Sequence, residues 1–224
     1  MTKFNSLAAT LAASAVGLSL FGGVSQAQAA SLVPSTEGEI TFGVVNSLGY
    51  TVKSLAYDGM AASRLFVDDK TTDGPFTFTK LDAGTNPDGL WFRPVAVNGS
   101  IVENGHLEVG KFNFDFGTTI KKLKLTFFDV EEVGTLIDNI NGGVGSIAVA
   151  PGDDSNIQYV FLDNVTSFDL KAGIIGGDLF PDTGDGVRFQ IESVPEPTTI
   201  LGLGALGVAS AFGLRKGKKA SQAA

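Results

Sequence analysis

Hydrophobic and polar residues alternate along short segments of this chain. In residues 111–116, with the sequence KFNFDF, three phenylalanines fall on one face and Lys, Asn and Asp on the other. Residues 122–127, KLKLTF, alternate in the same way. A period of two residues is typical of a β-strand that is buried on one face. We therefore predict two strands here, joined as a hairpin by a turn at Gly117.

Five further segments resemble strands, and clusters of Gly, Pro, Asn and Asp separate them. They are residues 39–45, 76–81, 145–150, 157–165 and 187–191. Many short strands between such turns are typical of antiparallel sheets. The pattern predicts an all-β domain, an antiparallel β-sandwich of the jelly-roll kind. Residues 51–65 have no clear period, so a short helix there stays open.

An apolar segment precedes this β-rich body. It begins with the cation Lys3, continues through small and apolar residues, and closes with Ala27-Gln28-Ala29. This order of cation, apolar core and A-x-A site is the pattern that signal peptidase cleaves. We predict a signal peptide over residues 1–29 and an extracytoplasmic domain over residues 30–193.

A second apolar segment follows the body. Residues 198–214 carry no charge, and 17 residues in a helix reach about 25 Å, close to the thickness of a membrane core. The cations that follow favour the cytoplasmic side; they are Arg215, Lys216, Lys218 and Lys219. We predict a single transmembrane helix with the domain outside the cytoplasmic membrane, and a short tail over residues 220–224.

The charge of the body limits its partners. Residues 31–193 contain 23 acidic and 11 basic residues, which gives a formal net charge of −12. Such a surface repels the phosphates of nucleic acid, so we predict no nucleic-acid partner. The chain has no cysteine, which excludes disulfides, thiolate catalysis and cysteine metal sites.

The junction between body and tail carries a motif, Val194-Pro195-Glu196-Pro197. Its prolines fix φ and keep the preceding residues out of a helix, so the motif stays extended above the membrane. Together with the apolar segment and the basic cluster, it resembles the PEP-CTERM sorting signal of bacterial surface proteins. The resemblance implies processing by an exosortase, a membrane-embedded cysteine transpeptidase, after signal peptidase has acted. It also implies a location at the cell surface or in the extracellular matrix, and an association with exopolysaccharide.

A second motif lies in the body. Leu107-Glu108-Val109-Gly110, followed by KFNFDF, is similar to the signature of the LEVG family of PEP-CTERM proteins. This resemblance implies no biochemical activity. The alternative is that these four residues are simply the start of a strand.

The residues form no recognisable catalytic set. The single histidine, His106, stands at a turn, and acidic pairs such as Asp129 with Glu131 are expected by chance in so acidic a domain. We predict that the protein is not an enzyme. An uncharacterised hydrolase is the less favoured alternative.

Two oxygen-rich loops raise the question of calcium. Residues 178–186 hold Asp178, Asp182 and Asp185, and residues 153–156 have the sequence DDSN. Calcium prefers oxygen ligands of this kind, but neither loop has the spacing of an EF-hand. Asp and Gly also form ordinary turns without an ion, so calcium stays open as a cofactor.

A carbohydrate-binding module is the main alternative to a structural role. Residues 161–166, FLDNVT, resemble the closing strand of carbohydrate-binding jelly rolls. The single tryptophan, Trp91, could stack on a sugar of a polysaccharide partner. It could equally belong to the hydrophobic core.

Overall fold

Twelve antiparallel strands form one sheet in the part of the chain that the computed structural model describes. That part consists of residues 29–40, 43–45, 49–69, 88–97, 106–176 and 185–195. The strands are β1 (Ala30–Ser31), β2 (Gly38–Ile40), β3 (Gly43–Val45), β4 (Tyr50–Leu55), β5 (Arg64–Asp68), β6 (Trp91–Ala96), β7 (His106–Leu107), β8 (Gly110–Phe128), β9 (Leu136–Asp138), β10 (Ser146–Ala148), β11 (Ile157–Ala172) and β12 (Arg188–Ser193). A 3-10 turn spans Ile140–Gly142.

The all-β prediction is confirmed. The strands belong to one continuous sheet with the order β10-β9-β11-β8-β12-β6-β5-β2, rather than to the two separate sheets of a sandwich. The open question over residues 51–65 is also answered, since this segment holds β4 and the start of β5 and no helix. The predicted strand over residues 76–81 lies outside the described residues.

Two long strands organise the sheet. β8 has 19 residues and β11 has 16, and they pair antiparallel from Gly110 with Ala172 to Phe128 with Ile157. The other edge of β8 is shared, because β4 pairs with its first part and β12 with its last part. Each half of β8 therefore has strands on both sides.

The predicted hairpin between residues 112 and 127 is wrong. The chain does not reverse at Gly117; the two alternating segments are successive halves of β8. Gly117 has a φ of +64°, and the register of the two strands shifts at this level, where residues 116–119 of β8 lie opposite Thr166 alone. A left-handed glycine and a bulge bend both strands at the same level. Alternation cannot distinguish a bend from a reversal, because both bury the same side chains.

The bend brings the two halves of β8 into one core. Phe114 and Phe127 lie on the same strand, yet the rings of both contact Phe189, at 5.9 and 6.4 Å between centroids. Thirteen residues of straight strand would separate them by about 43 Å. The sheet therefore folds over itself, and the core between its halves is rich in phenylalanine.

We expect Phe114→Ala to lower the free energy of unfolding by about 3–5 kcal/mol, because its fully buried ring packs on Tyr50, Phe92, Phe168 and Phe189. Val144→Ala is the control, since this side chain is fully exposed and its loss should cost less than about 1 kcal/mol. Urea unfolding of the exported protein measures both. Equal losses in the two variants would contradict a core built on the bend of β8.

Candidate functional site

The sheet ends where the predicted sorting motif begins. β12 ends at Ser193, and the Val194 backbone N–H still donates to the Lys122 carbonyl, at 2.9 Å. Pro195 follows as the last described residue of this segment. The motif is thus joined to the sheet without a linker. Glu196 and Pro197 lie outside the described residues.

The start of the domain lies beside its end. In β1, Ala30 pairs with Ser193 and Ser31 with Glu192. The Leu32 N–H then donates to the Ile191 carbonyl at 2.8 Å. The predicted signal-peptidase position, directly after the exposed Ala29, is therefore next to the residues that precede Pro195 in space. Ala27 lies outside the described residues.

None of the residues described by the structure forms a helix that is long and apolar enough to cross a membrane. The predicted helix over residues 198–214 lies outside this part. So do the four predicted stop-transfer cations, Arg215, Lys216, Lys218 and Lys219. Their placement stays a prediction.

A buried ion network holds β12 to its neighbours. Glu108 is fully buried, and its Oε1 accepts hydrogen bonds from Nε of Arg93, at 3.0 Å, and from Nε of Arg188. Arg93 also donates from Nη1 to Oδ2 of Asp68, at 2.6 Å. The formal charges of the two guanidiniums and the two carboxylates cancel. The network joins β5, β6 and β12 to the turn that precedes β8.

The backbone of Glu108 is as closely held as its side chain. Its N–H donates to the Pro94 carbonyl at 2.7 Å, and its carbonyl accepts from the Val187 N–H at 2.8 Å. The residue has a φ of +66°, which is uncommon for a side chain of this kind. Burial raises the pKa of the Glu108 carboxyl, while Arg188 and Arg93 act in the opposite direction.

The neighbouring residues of the LEVG segment have packing roles. Val109 is fully buried beside Tyr57 and Ala96. A Cβ on Gly110 would lie 2.9 Å from Cβ of Pro94 and 2.8 Å from the Phe112 ring, so no larger residue fits without a shift. The segment is therefore the junction at which β8 begins.

The sequence patterns did not single out Arg93, Glu108 and Arg188 as a group. The signal that could have done so is a charged residue inside an apolar segment, as in FRPVA, LEVG and VRFQI. Charged residues are rarely buried unless they are paired, so each of these segments indicates a charge that has a partner in the interior. Only the structure shows that the three meet.

The two oxygen-rich loops meet around residues 129–132. Carboxylate oxygens of Asp129, Glu131 and Asp154 lie within 4.8 Å of one another. Oδ1 of Asp129 also accepts the Ser155 N–H at 2.7 Å. Three carboxylates at this distance provide the oxygen ligands that calcium prefers. Asp129 and Glu131, whose pairing the sequence pattern attributes to chance, thus form an acidic group with Asp154.

Asp185 supports this group from the other loop. Its fully buried carboxylate accepts the backbone N–H groups of Glu131, at 3.1 Å, and of Glu132, at 3.0 Å. Both contacts hold the backbone of the 129–132 segment. The structure therefore assigns Asp185 a supporting role for that backbone. Asp178 and Asp182 lie outside the described residues.

The single tryptophan lies in the interior. The side chain of Trp91 is 3 % exposed, and its ring makes an edge contact with Phe128 at 6.1 Å between centroids. A ring that stacks on a sugar needs an open face. The position of Trp91 therefore favours the alternative in which it belongs to the core. For His106 the structure describes the backbone alone, which lies in β7 and pairs with Ala96.

Three large apolar side chains are exposed along one strand instead. On β11, Ile157 is 40 %, Tyr159 55 % and Phe161 52 % exposed. The ammonium of Lys124 lies 4.8 Å from the centre of the Tyr159 ring, and that of Lys122 lies 5.4 Å from the centre of the Phe161 ring. Residues of this kind on an outer face indicate an interaction surface.

The comparison with protein families identifies the junction. A model described as the PEP-CTERM protein-sorting motif matches residues 193–219. The match confirms the predicted sorting motif, and it indicates an exported, membrane-associated protein that an exosortase processes. The LEVG family stays a prediction. No curated protein and no solved structure matches the chain.

We expect Glu108→Gln to lower the free energy of unfolding by about 3–5 kcal/mol, since it leaves two buried guanidiniums with one carboxylate. Glu192→Gln is the control, because Glu192 pairs with Lys124 in a half-exposed bridge that is worth about 1 kcal/mol or less. Thermal and urea unfolding measure the difference. A loss for Glu108→Gln no larger than that of the control would contradict a structural role for the network.

We expect about 1 mM calcium to raise the melting temperature of the domain, and a chelator to reverse the change, because the ion would relieve repulsion among Asp129, Glu131 and Asp154. Asp154→Asn should remove the response. Asp163→Asn is the control and should leave the response intact, because this exposed residue lies opposite Lys122, six residues along β11 from the end beside Asp129. A melting temperature insensitive to calcium would make these residues ordinary turn formers.

Proposed function

We propose that this chain, whose residues 193–219 match the PEP-CTERM sorting motif, is an exosortase-processed protein of the cell surface or extracellular matrix. Its β-rich domain has a non-catalytic structural or interaction role beside exopolysaccharide. The observation that carries the proposal is the position of the motif, directly after the last strand of the domain. The chain thus joins one folded unit, residues 29–194, to one sorting signal.

The junction supports processing of a folded domain. Val194 is held to Lys122 by a backbone hydrogen bond, and the next residue already belongs to the Pro-Glu-Pro motif. Each proline resists helix formation, so the helix predicted over residues 198–214 is not expected to extend back into the sheet. An exosortase that acts at the motif therefore leaves β12 intact.

The structural contacts of two buried carboxylates support a non-catalytic role. Glu108 holds two arginines, and Asp185 holds the backbone of Glu131 and Glu132. These are structural contacts, and they leave these carboxylates engaged with protein groups. A hydrolase needs a carboxylate or nucleophile that reaches the substrate, and neither Glu108 nor Asp185 is placed to do so, since both are fully buried.

Trp91, the residue predicted to stack on a sugar in the carbohydrate-binding alternative, is buried in the core. It stays a hypothesis that sugar-dependent thermal stabilisation would support. The motif match concerns sorting and is compatible with either role. We favour the structural and interaction role because Trp91 is buried, while large apolar side chains are exposed along the edge strand β11.

The test replaces Pro195, Glu196 and Pro197 with alanine in the natural host and measures the intact mass of the protein in membrane and extracellular fractions. We expect the unaltered protein to lack both its leader and its tail. The variant should keep its tail and stay in the membrane, because the exosortase no longer recognises it. Its melting temperature should not change, since Val194, which the variant keeps, makes the last described backbone hydrogen bond to the sheet.

Glu192→Gln serves as the control, because it changes a charge close to the motif without altering it. It should be processed like the unaltered protein. If the unaltered protein and the triple variant both keep the tail, the Pro-Glu-Pro residues are only a stiff stalk above an ordinary membrane anchor. If the triple variant loses its tail at the same position, these three residues are not what the exosortase recognises.

A further inference from the structure

One half of β11 is an edge of the sheet. Residues 157–163 pair with β8 on one side, whereas β9 pairs on the other side only with residues 169–171. Between these parts, the side chain of Asn141 covers the edge by bonding to Asn164, Thr166 and Ser167. Among the strands that the structure describes, none pairs with the outer side of residues 157–163.

The backbone groups on this edge point away from β8. The Asp129 N–H donates to the Asn156 carbonyl at 2.9 Å, in line with the β8–β11 register. In an antiparallel pair, every second residue forms the hydrogen bonds to its neighbour. The N–H and C=O groups of the residues in between therefore face outward; these are Ile157, Tyr159, Phe161 and Asp163.

The same residues carry the exposed apolar side chains. The segment IQYVFL has strong β-propensity, no proline and no charge, and it has none of the devices that protect natural edge strands. An edge of this composition is a template for another extended strand.

We propose that a second copy of this chain pairs with this edge, residues 157–163 against residues 157–163, antiparallel about a two-fold axis at Val160. In this register, outward residues meet outward residues, and Tyr159 of each copy lies opposite Phe161 of the other. Aromatic pairs across neighbouring strands stabilise a sheet. An isologous contact of this kind closes as a dimer and leaves no further edge open at this site.

Charge favours a second copy at this edge. Asp163 is the only charged residue of the segment, and the two Asp163 side chains lie about 20 Å apart at opposite ends, well beyond the screening distance in salt. Residue 156 of one copy lies opposite residue 164 of the other. The acidic turn at Asp153 and Asp154 thus approaches Lys121 of the other copy, which already contacts Asn164 at 3.3 Å. The formal net charge of −12 over residues 31–193 makes other surfaces of two copies repel each other. Contact between copies is therefore favoured at this edge over the rest of the surface.

The test uses the absence of cysteine from the natural chain. In the full-length exported chain, Val160→Cys places two cysteines opposite each other at a position without inter-copy hydrogen bonds, where Cα atoms lie about 4.5 Å apart. Val144→Cys is the control, because this side chain is fully exposed and random collisions should oxidise it more readily. We expect Val160→Cys to form a disulfide-linked dimer about tenfold faster than Val144→Cys on non-reducing gels.

A second change separates pairing from chance contact. Phe161→Glu in the Val160→Cys background should abolish the rapid cross-link, because it removes both Tyr159 contacts. The new carboxylate would lie beside Lys122, so the fold should tolerate it. Phe161→Glu should not slow the slower cross-linking of Val144→Cys.

A further experiment needs no cysteine variant. Light scattering during size-exclusion chromatography at about 0.1 mM measures the molar mass of the unaltered protein and so distinguishes a monomer from a dimer. We expect twice the monomer mass, and the monomer mass for Phe161→Glu. A monomeric unaltered protein, or a Val160→Cys cross-link no faster than the control, would overturn the proposal. Protection of Tyr159 and Phe161 only by added polysaccharide would also overturn it, in favour of a sugar polymer at this edge.

Discussion

The pairing of β8 with β11 is the contact on which the rest of this domain depends. The two strands bend together where residues 116–119 of β8, including Gly117, lie opposite Thr166 of β11, so one ladder serves both halves of the core. β4, β9 and β12 all take their register from these two strands. Because a close-packed phenylalanine core fills the fold of the sheet, the bend and the packing stabilise each other.

The buried network around Glu108 solves a problem that this architecture creates. β12 pairs with β8 over six residues but with β6 at one position only, so that junction has few backbone hydrogen bonds. Arg93 on β6 and Arg188 on β12 share one carboxylate, which joins the two strands through side chains instead. Such a network stabilises little relative to an apolar core, but it holds a specific arrangement once formed.

This arrangement bears on function through the two ends of the domain. β12 leads directly into the sorting motif, and β1 starts beside it, so both predicted processing positions lie at one end of the sheet. The first half of β11 offers an edge with exposed aromatic rings. The domain therefore combines an end at which the matched sorting motif begins with a strand edge. Backbone pairing with β1 and β8 holds the first, and none of the described strands pairs with the second.

Local patterns determined the β class and the sorting motif, because alternation, turn residues and the order of motif, apolar segment and cations are all properties of neighbouring residues. The predicted hairpin failed, because a bend and a reversal of KFNFDF and KLKLTF bury the same faces. Trp91 and Asp185 were likewise ambiguous, since exposure depends on which strands meet. Tertiary structure alone decided that Arg93, Glu108 and Arg188 meet. It also decided that no described strand pairs with the outer side of β11 at Tyr159. Both features depend on pairings between residues far apart in the chain, and such pairings leave no local pattern.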